Sequence, residues 1–283
     1  MQDIVLTQQV EAEKTPQKAK FHWQQWNNSL KWGLFALIFP TLLIATWAIA
    51  GQQGSINPLI LPSPQVVWAS FVDLLLTGEI WLHLQISLAR IAYGFAVGML
   101  VAFALGIAMG LSKSVEQYIW PTFKAINLVP VIGWIPLLML LVGIDEALKI
   151  ILIAKAAMIP LTINIFKGIR NIPQAHLEVA QVYQLSPMTK FKKLILPGAL
   201  VSFIGGLRLS LANAWGALVA VELLASSEGI GYLMVYGRQI FQLDVVMVTV
   251  FVIGLVGFSL DVIIRLIQRW SMPWQQVQQG DRL

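Results

Sequence analysis

The chain has 283 residues, 57% hydrophobic and only 12% charged, with a formal net charge of +5 and a mean hydropathy of +0.73. A soluble domain carries about 25% charged residues, so an ordinary water-soluble fold is excluded and an integral membrane protein is implied. Cysteine is absent, which excludes disulfides, thiol catalysis and cysteine metal sites. The basic residues sit in loops between apolar segments rather than on one face with interleaved aromatics, so nucleic acid is not expected as a partner.

Residues 1–31 are polar, contain Lys14, Lys18 and Lys20, and lack the apolar core of a secretory signal. They read as a cytoplasmic tail ahead of an uncleaved first span. A span needs about 20 apolar residues at 1.5 Å rise. Six segments meet this, which predicts an all-α polytopic bundle: 32–50, 88–111, 119–142, 148–166, 200–225 and 245–267. Between the first two, Ser63 and Pro64 read as the N-cap and first residue of a short helix with an apolar side, broken at Gly78-Glu79. The third span contains Pro121, Pro130 and Pro136. Prolines at depth free backbone carbonyls that need protein neighbours or a water-lined cavity, so this span reads as a kinked helix near a pathway.

Lysine and arginine counts orient the bundle. The tail has Lys14, Lys18, Lys20 and Lys31. The 51–87 loop has none. Residue Lys113 follows span two, whereas Asp145 and Glu146 follow span three. Lys167, Arg170, Lys190, Lys192 and Lys193 follow span four, Arg238 follows span five, and Arg265, Arg269 and Arg282 close the chain. The alternation places both termini in the cytoplasm, with a membrane domain over 32–270, a cytoplasmic loop at 167–199 and a tail at 271–283.

Span two carries Gly94, Gly98, Ala102, Gly106 and Gly110 at a spacing of four. On a helix these form one ridge of small side chains, the pattern of a close helix–helix contact in lipid. Arg90, Lys124 and Lys149 lie near span ends, where they can snorkel. Lys155 and Glu222 lie deeper, where a charge costs on the order of 3 kcal/mol. They read either as a mutual ion pair or snorkelling groups, or as residues on a solute path, and a lysine there would suit an anion. Arg208 reads as an inner-gate or headgroup contact. The three histidines, His22, His83 and His176, are far apart, so no metal cluster is indicated. No nucleophile–base set and no G-x-x-x-x-G-K-[ST] phosphate loop occurs. The chain is therefore not read as an enzyme, and active transport would need an outside source of energy.

The 167–199 loop has helix signals of its own. Ala175, Leu177, Glu178, Val179, Ala180, Val182 and Tyr183 read as one short helix. Ser186 and Pro187 read as the N-cap and first residue of another, ended by Leu196-Pro197-Gly198. A helical hairpin with apolar residues at the membrane's inner face is either packed on its own bundle or a docking surface.

The spacing in this hairpin resembles the permease subunits of bacterial ABC importers. Those carry E-A-A, three residues, G, nine residues, then I-x-L-P. Here Glu178-Val179-Ala180 is followed by Gln181–Tyr183, then Gln184 where glycine is usual, then 185–193 and Leu194-Ile195-Leu196-Pro197. A glycine there permits positive φ, and glutamine is strained by it. The resemblance extends over nearly all of residues 60–270. Leu61-Pro62-Ser63-Pro64, Gly143-Ile144-Asp145-Glu146, Trp215, Glu222 and Gly229-Ile230-Gly231-Tyr232 resemble the nitrate, sulfonate, taurine and bicarbonate branch, and the aliphatic sulfonate permeases most.

The resemblance implies an inner-membrane protein whose hairpin residues Glu178, Val179, Ala180, Tyr183, Gln184, Leu196 and Pro197 couple to a cytoplasmic ABC ATPase dimer. That dimer would use ATP and Mg, leaving this chain without a cofactor. A periplasmic solute-binding protein and a second permease copy complete the implied complex. Lys155, Glu222 and Trp215 are the candidate path residues. Lys155 stands where the sulfonate-type pattern has an apolar residue, which leaves taurine, nitrate or bicarbonate open beside aliphatic sulfonates. A channel or carrier that needs no ATPase is the alternative from another class, and the hairpin argues against it.

Overall fold

The computed structural model describes Phe35, residues 38–51, Gln53, Asn57 and residues 60–271. The expected tail 1–31 and all of the expected tail 271–283 except Ser271 lie outside the described residues, as does the start of the first expected span. The described part of that span is an apolar helix, α1 (Ile38–Gly51). It falls in one compact unit, Met1–Gln65, and the rest of the chain in a second, Val66–Leu283.

Every regular element among the described residues is helical. After α1 come α2 (Pro64–Leu76), α3 (Glu79–Leu111), α4 (Lys113–Leu128), a 3-10 turn (Val131–Trp134), α5 (Ile135–Val142) and α6 (Glu146–Arg170). Then follow α7 (Gln174–Val182), α8 (Pro187–Lys190), a π turn (Phe191–Ile195), α9 (Leu196–Ala225), α10 (Ile230–Gln239) and α11 (Leu243–Ser271). Four of these are long and apolar enough to cross a membrane among the described residues, and a fifth crossing results if α4 and α5 count as one broken span.

The third expected span is more than kinked. Its two halves meet at 93°. Val129, held extended at φ −83°, ψ 117°, precedes Pro130, which disfavours the helical region for the residue before it. Pro136 falls in the first turn of α5, where a missing N–H costs nothing. Helix α3 begins at Glu79, nine residues before the apolar run that marked it, because nothing in Glu79–Ser87 breaks a helix. Only Thr77 and Gly78, the latter at φ +83°, separate it from α2.

The core is built around α6, which lies between α3 and α9. The small ridge of α3 lies along α6. A Cβ on Gly98 would come within 2.5 Å of the Ala154 carbonyl, and one on Gly106 within 2.8 Å of the Ile165 side chain. Ala102 is fully buried against Leu161 and Ile165. From α9, Ser210 donates to the Ala157 carbonyl at 2.6 Å, and Gly206 abuts Asn164. Helices α10 and α11 form an antiparallel pair that buries Ile230, Leu233, Val245, Val248 and Val252 with Leu74 of α2 and Ile80 of α3.

The approach at Gly98 is to backbone, which cannot swing away as a side-chain tip can. Gly98→Ala is expected to destabilise the protein by about 1–3 kcal/mol, the usual cost of overpacking. Gly216→Ala, where a Cβ meets nothing within 4 Å, serves as the control. Thermal unfolding of the detergent-purified variants measures the difference.

Candidate functional site

The hairpin is α7, a tight turn and α8. Its turn uses the left-handed conformation at Gln184, φ +49°. The Leu185 N–H donates to the Ala180 carbonyl at 3.0 Å, and the Gln184 N–H to Gln181 at 2.9 Å. These two bonds satisfy carbonyls that a helix end leaves free. Glutamine thus occupies the conformation that glycine takes more cheaply. Ser186 caps α8 by accepting from the Thr189 N–H at 3.3 Å.

Leu196-Pro197-Gly198 does not end the second hairpin helix, contrary to the sequence expectation. The helix passes through a π turn directly into α9. There the Leu196 N–H reaches back to the Phe191 carbonyl, and the widened turn accommodates Pro197, which has no N–H to give and would otherwise crowd a carbonyl. The hairpin residues divide by exposure. Ala180 is buried, and Leu177 packs beside Ile172, Phe191 and Ile195. Glu178, Val179, Val182, Tyr183, Met188, Leu196 and Pro197 are exposed. Arg170, at the adjoining end of α6, pairs with Glu116 at 2.5 Å and donates to the Met109 carbonyl at 3.1 Å.

At the opposite end of α6 lies a buried polar network. The Arg90 guanidinium of α3 makes two bonds to the Glu146 carboxylate, at 2.8 and 2.6 Å. It makes a third to Glu222 at 3.0 Å and a fourth to the Glu228 carbonyl at 2.6 Å. Glu222, 1% exposed, also accepts from Ser87 and from the Gly231 N–H at 3.0 Å. Ser87 in turn accepts from the Ile230 N–H, and His83 Nδ1 from the Gly229 N–H. Lys149 donates to Glu146 at 2.7 Å. The network fixes the entry to α10, whose first amides it satisfies. Arg90 and Lys149, expected to snorkel, are instead buried and paired because Glu146 and Glu222 converge on them.

Lys155 is apart from this network. It is 7% exposed, donates to the Val129 carbonyl at 3.1 Å and lies 5.2 Å from the centre of the Trp134 ring. It therefore binds a carbonyl freed by the break between α4 and α5, not Glu222. With Asn127 and Asn213 it lines a cavity of about 380 Å³. Trp215 lines a separate cavity of about 230 Å³ beside Arg208. Arg208 is paired with Asp261 at 2.5 Å. Glu222 lines neither cavity, so the three candidate path residues occupy three different places.

These features coincide with a known family. The profile of the binding-protein-dependent transport system inner membrane component matches residues 94–275. The chain belongs to this family. Among curated relatives, the permease is 36% identical to an aliphatic sulfonates transport permease protein of Bacillus subtilis, over 94% of this chain and 93% of the relative. The corresponding Escherichia coli protein is 38% identical over 83% and 89%. The E. coli taurine transport system permease protein is 33% identical over 82% and 86%. Among solved structures, an inward-facing form of the MetNI methionine ABC transporter aligns with a TM-score of 0.53 at 17% identity, covering 72% of this chain and 99% of that one. This last likeness concerns the fold.

Sequence reasoning missed α10 and the joint role of Ser87, Arg90 and Glu222. The available signal was that His83, Ser87 and Arg90 recur at spacings of four and three, which puts polar groups on one side of an apolar helix.

Three outcomes follow for the permease. Gln184→Gly relieves a left-handed residue and is expected to stabilise the fold by about 1 kcal/mol, read as a raised thermal midpoint. Arg90→Met leaves Glu222 buried without its cation and is expected to cost about 3–5 kcal/mol. The double variant Arg90→Met/Glu222→Met is expected to recover part of that loss, as measured by thermal unfolding and membrane yield.

Proposed function

We propose that this permease is the membrane subunit of an ABC importer that carries a small sulfonate, an aliphatic sulfonate or taurine, by alternating access. Identities of 33–38% to permeases named for sulfonates and taurine support the solute class. The observation that carries the coupling reading is the hairpin. Its short helix turns Ala180 into the bundle and leaves Glu178, Val179, Val182 and Tyr183 outward, which suits a helix seated in the groove of another protein. The lysine and arginine distribution favours a cytoplasmic hairpin. An ATPase dimer docked there would use ATP and Mg outside this chain. A solute-binding protein on the opposite side would deliver the anion, and a second permease copy would complete the pathway.

In this mechanism ATP-driven closure of the ATPase dimer moves the two α7 helices together. Because α8 continues through the π turn into α9, the bundle reorients as a body and the pathway opens to the binding protein. Hydrolysis then resets it. Nothing in this chain performs the chemistry of hydrolysis in this reading.

The complex reconstituted with its ATPase and binding protein is expected to hydrolyse ATP faster on addition of ethanesulfonate or taurine than of nitrate or bicarbonate. Solute uptake without the ATPase would instead support a channel or carrier. Glu178→Lys combined with Val182→Arg is expected to lower uptake at least about tenfold, a loss of about 1.4 kcal/mol or more in coupling, while thermal stability of the permease is unchanged. Full uptake by that variant would overturn the docking role of the hairpin.

A further inference from the structure

Three cationic side chains are buried in the described part of the bundle: Arg90, Lys149 and Lys155. Arg90 and Lys149 share the carboxylates of Glu146 and Glu222. Lys155 has no carboxylate partner among the described residues. Its position is nine residues into α6, roughly 14 Å from the helix start at 1.5 Å per residue. A buried ammonium without a counter-ion is costly, and an anion beside it would offset that cost.

The surroundings provide room and further donors for such an anion. An ammonium has three N–H donors, and one of them is used on the Val129 carbonyl. The cavity wall at Lys155 also carries the side chains of Asn127 and Asn213. Its volume, about 380 Å³, falls within the roughly 300–1,000 Å³ range of small-ligand pockets. The indole Nε1 of Trp134, whose ring faces the ammonium, is buried without a hydrogen-bond partner.

We propose that the cavity at the break between α4 and α5 is an anion subsite, in which Lys155 exchanges the Val129 carbonyl for an oxygen of a small sulfonate. This rests on the importer reading above and deepens it by naming where the anion is held. Lys155 has two states in this scheme. Without solute it clasps the end of α4 across the break. With solute it turns to the anion, and the Val129 carbonyl is released, so occupancy loosens the hinge between the two half-helices. Asn127 and Asn213 supply neutral donors to the remaining sulfonate oxygens. The other buried cations of the described bundle do not compete, because each is already held by a carboxylate.

The test uses the complete transporter and the natural absence of cysteine in this chain. Ala220→Cys, at a wall position that takes no part in holding the anion, places the permease's sole thiol on the cavity wall. Its labelling by a neutral methanethiosulfonate is timed with and without ethanesulfonate, with dimethyl sulfone as the uncharged control. Labelling is repeated with Lys155→Gln, whose amide can still donate to Val129 but carries no charge. The expected result is labelling slowed about fivefold by ethanesulfonate at several times its dissociation constant, no slowing by the sulfone, and loss of protection with Lys155→Gln. Equal protection with and without the lysine, or no protection in either, would overturn the subsite. Ala212→Cys provides a second reporter if the Ala220 variant does not assemble, with the same two outcomes. Uptake assays on the parent protein separate the two levels. Sulfonate uptake without lysine-dependent protection removes only the subsite, whereas failure to take up any sulfonate removes the solute reading itself.

Discussion

The close approach of α3 and α9 to α6 is the constraint on which the rest of the structure depends. A helix in lipid gains little from burying one apolar side chain against another, since the acyl chains are equally apolar. Contact must come from packing and from polar groups that have no better partner. Here α3 supplies glycine and alanine where α6 presents backbone and branched side chains. The Ser210 hydroxyl of α9 reaches the Ala157 carbonyl of α6. This brings three helices within a distance at which short side chains can join them, and the Arg90–Glu222–Ser87 network requires that distance.

The two ends of α6 then serve different purposes. At its first turn, Glu146 gathers Arg90 and Lys149, and Glu222 completes a cluster whose donors and acceptors are largely matched. A network of this kind is worth little as net stability, since removing charges from water offsets their attraction, but it penalises any arrangement that separates the partners. It holds the chain where α9 turns into α10. At the other end, Arg170 ties α6 to α4 and to the last turn of α3, next to the exposed hairpin. Between these fixed ends, the break at Val129-Pro130 interrupts the neighbouring span, and Lys155 bridges it.

Local features were legible in the sequence because they depend on residues near one another. The helix of α7 and the Ser186 cap each follow from a few adjacent side chains, whereas a glutamine gave no sign of its own that position 184 would be left-handed. The ridge at Gly94, Gly98, Ala102, Gly106 and Gly110 follows from one helical repeat. The pairing of Arg90 with Glu222 does not, since 132 positions separate them and several carboxylates could have met that arginine. Helix α10 lacks a full apolar span and so left no hydropathy signal. The prolines of the third span announced a distortion, yet whether it would be a bend or a break depended on what could bind the freed carbonyl. That answer lay in Lys155, on another helix.

The unbroken passage from α8 through the π turn into α9 makes the hairpin one arm of a lever. Asn213 stands 17 residues beyond Leu196, which is roughly 25 Å along the axis. A rotation of α9 by about 6° around its hairpin end carries the Asn213 amide about 2.7 Å at that radius, close to the length of one hydrogen bond. A small angular change at the hairpin end of α9 is therefore enough to make or break a hydrogen bond in the cavity. The stiffness of that junction sets how faithfully an angular change at the hairpin reaches the cavity, and the π turn, with its wider hydrogen-bond pattern, is a place where torsion can be absorbed before it arrives.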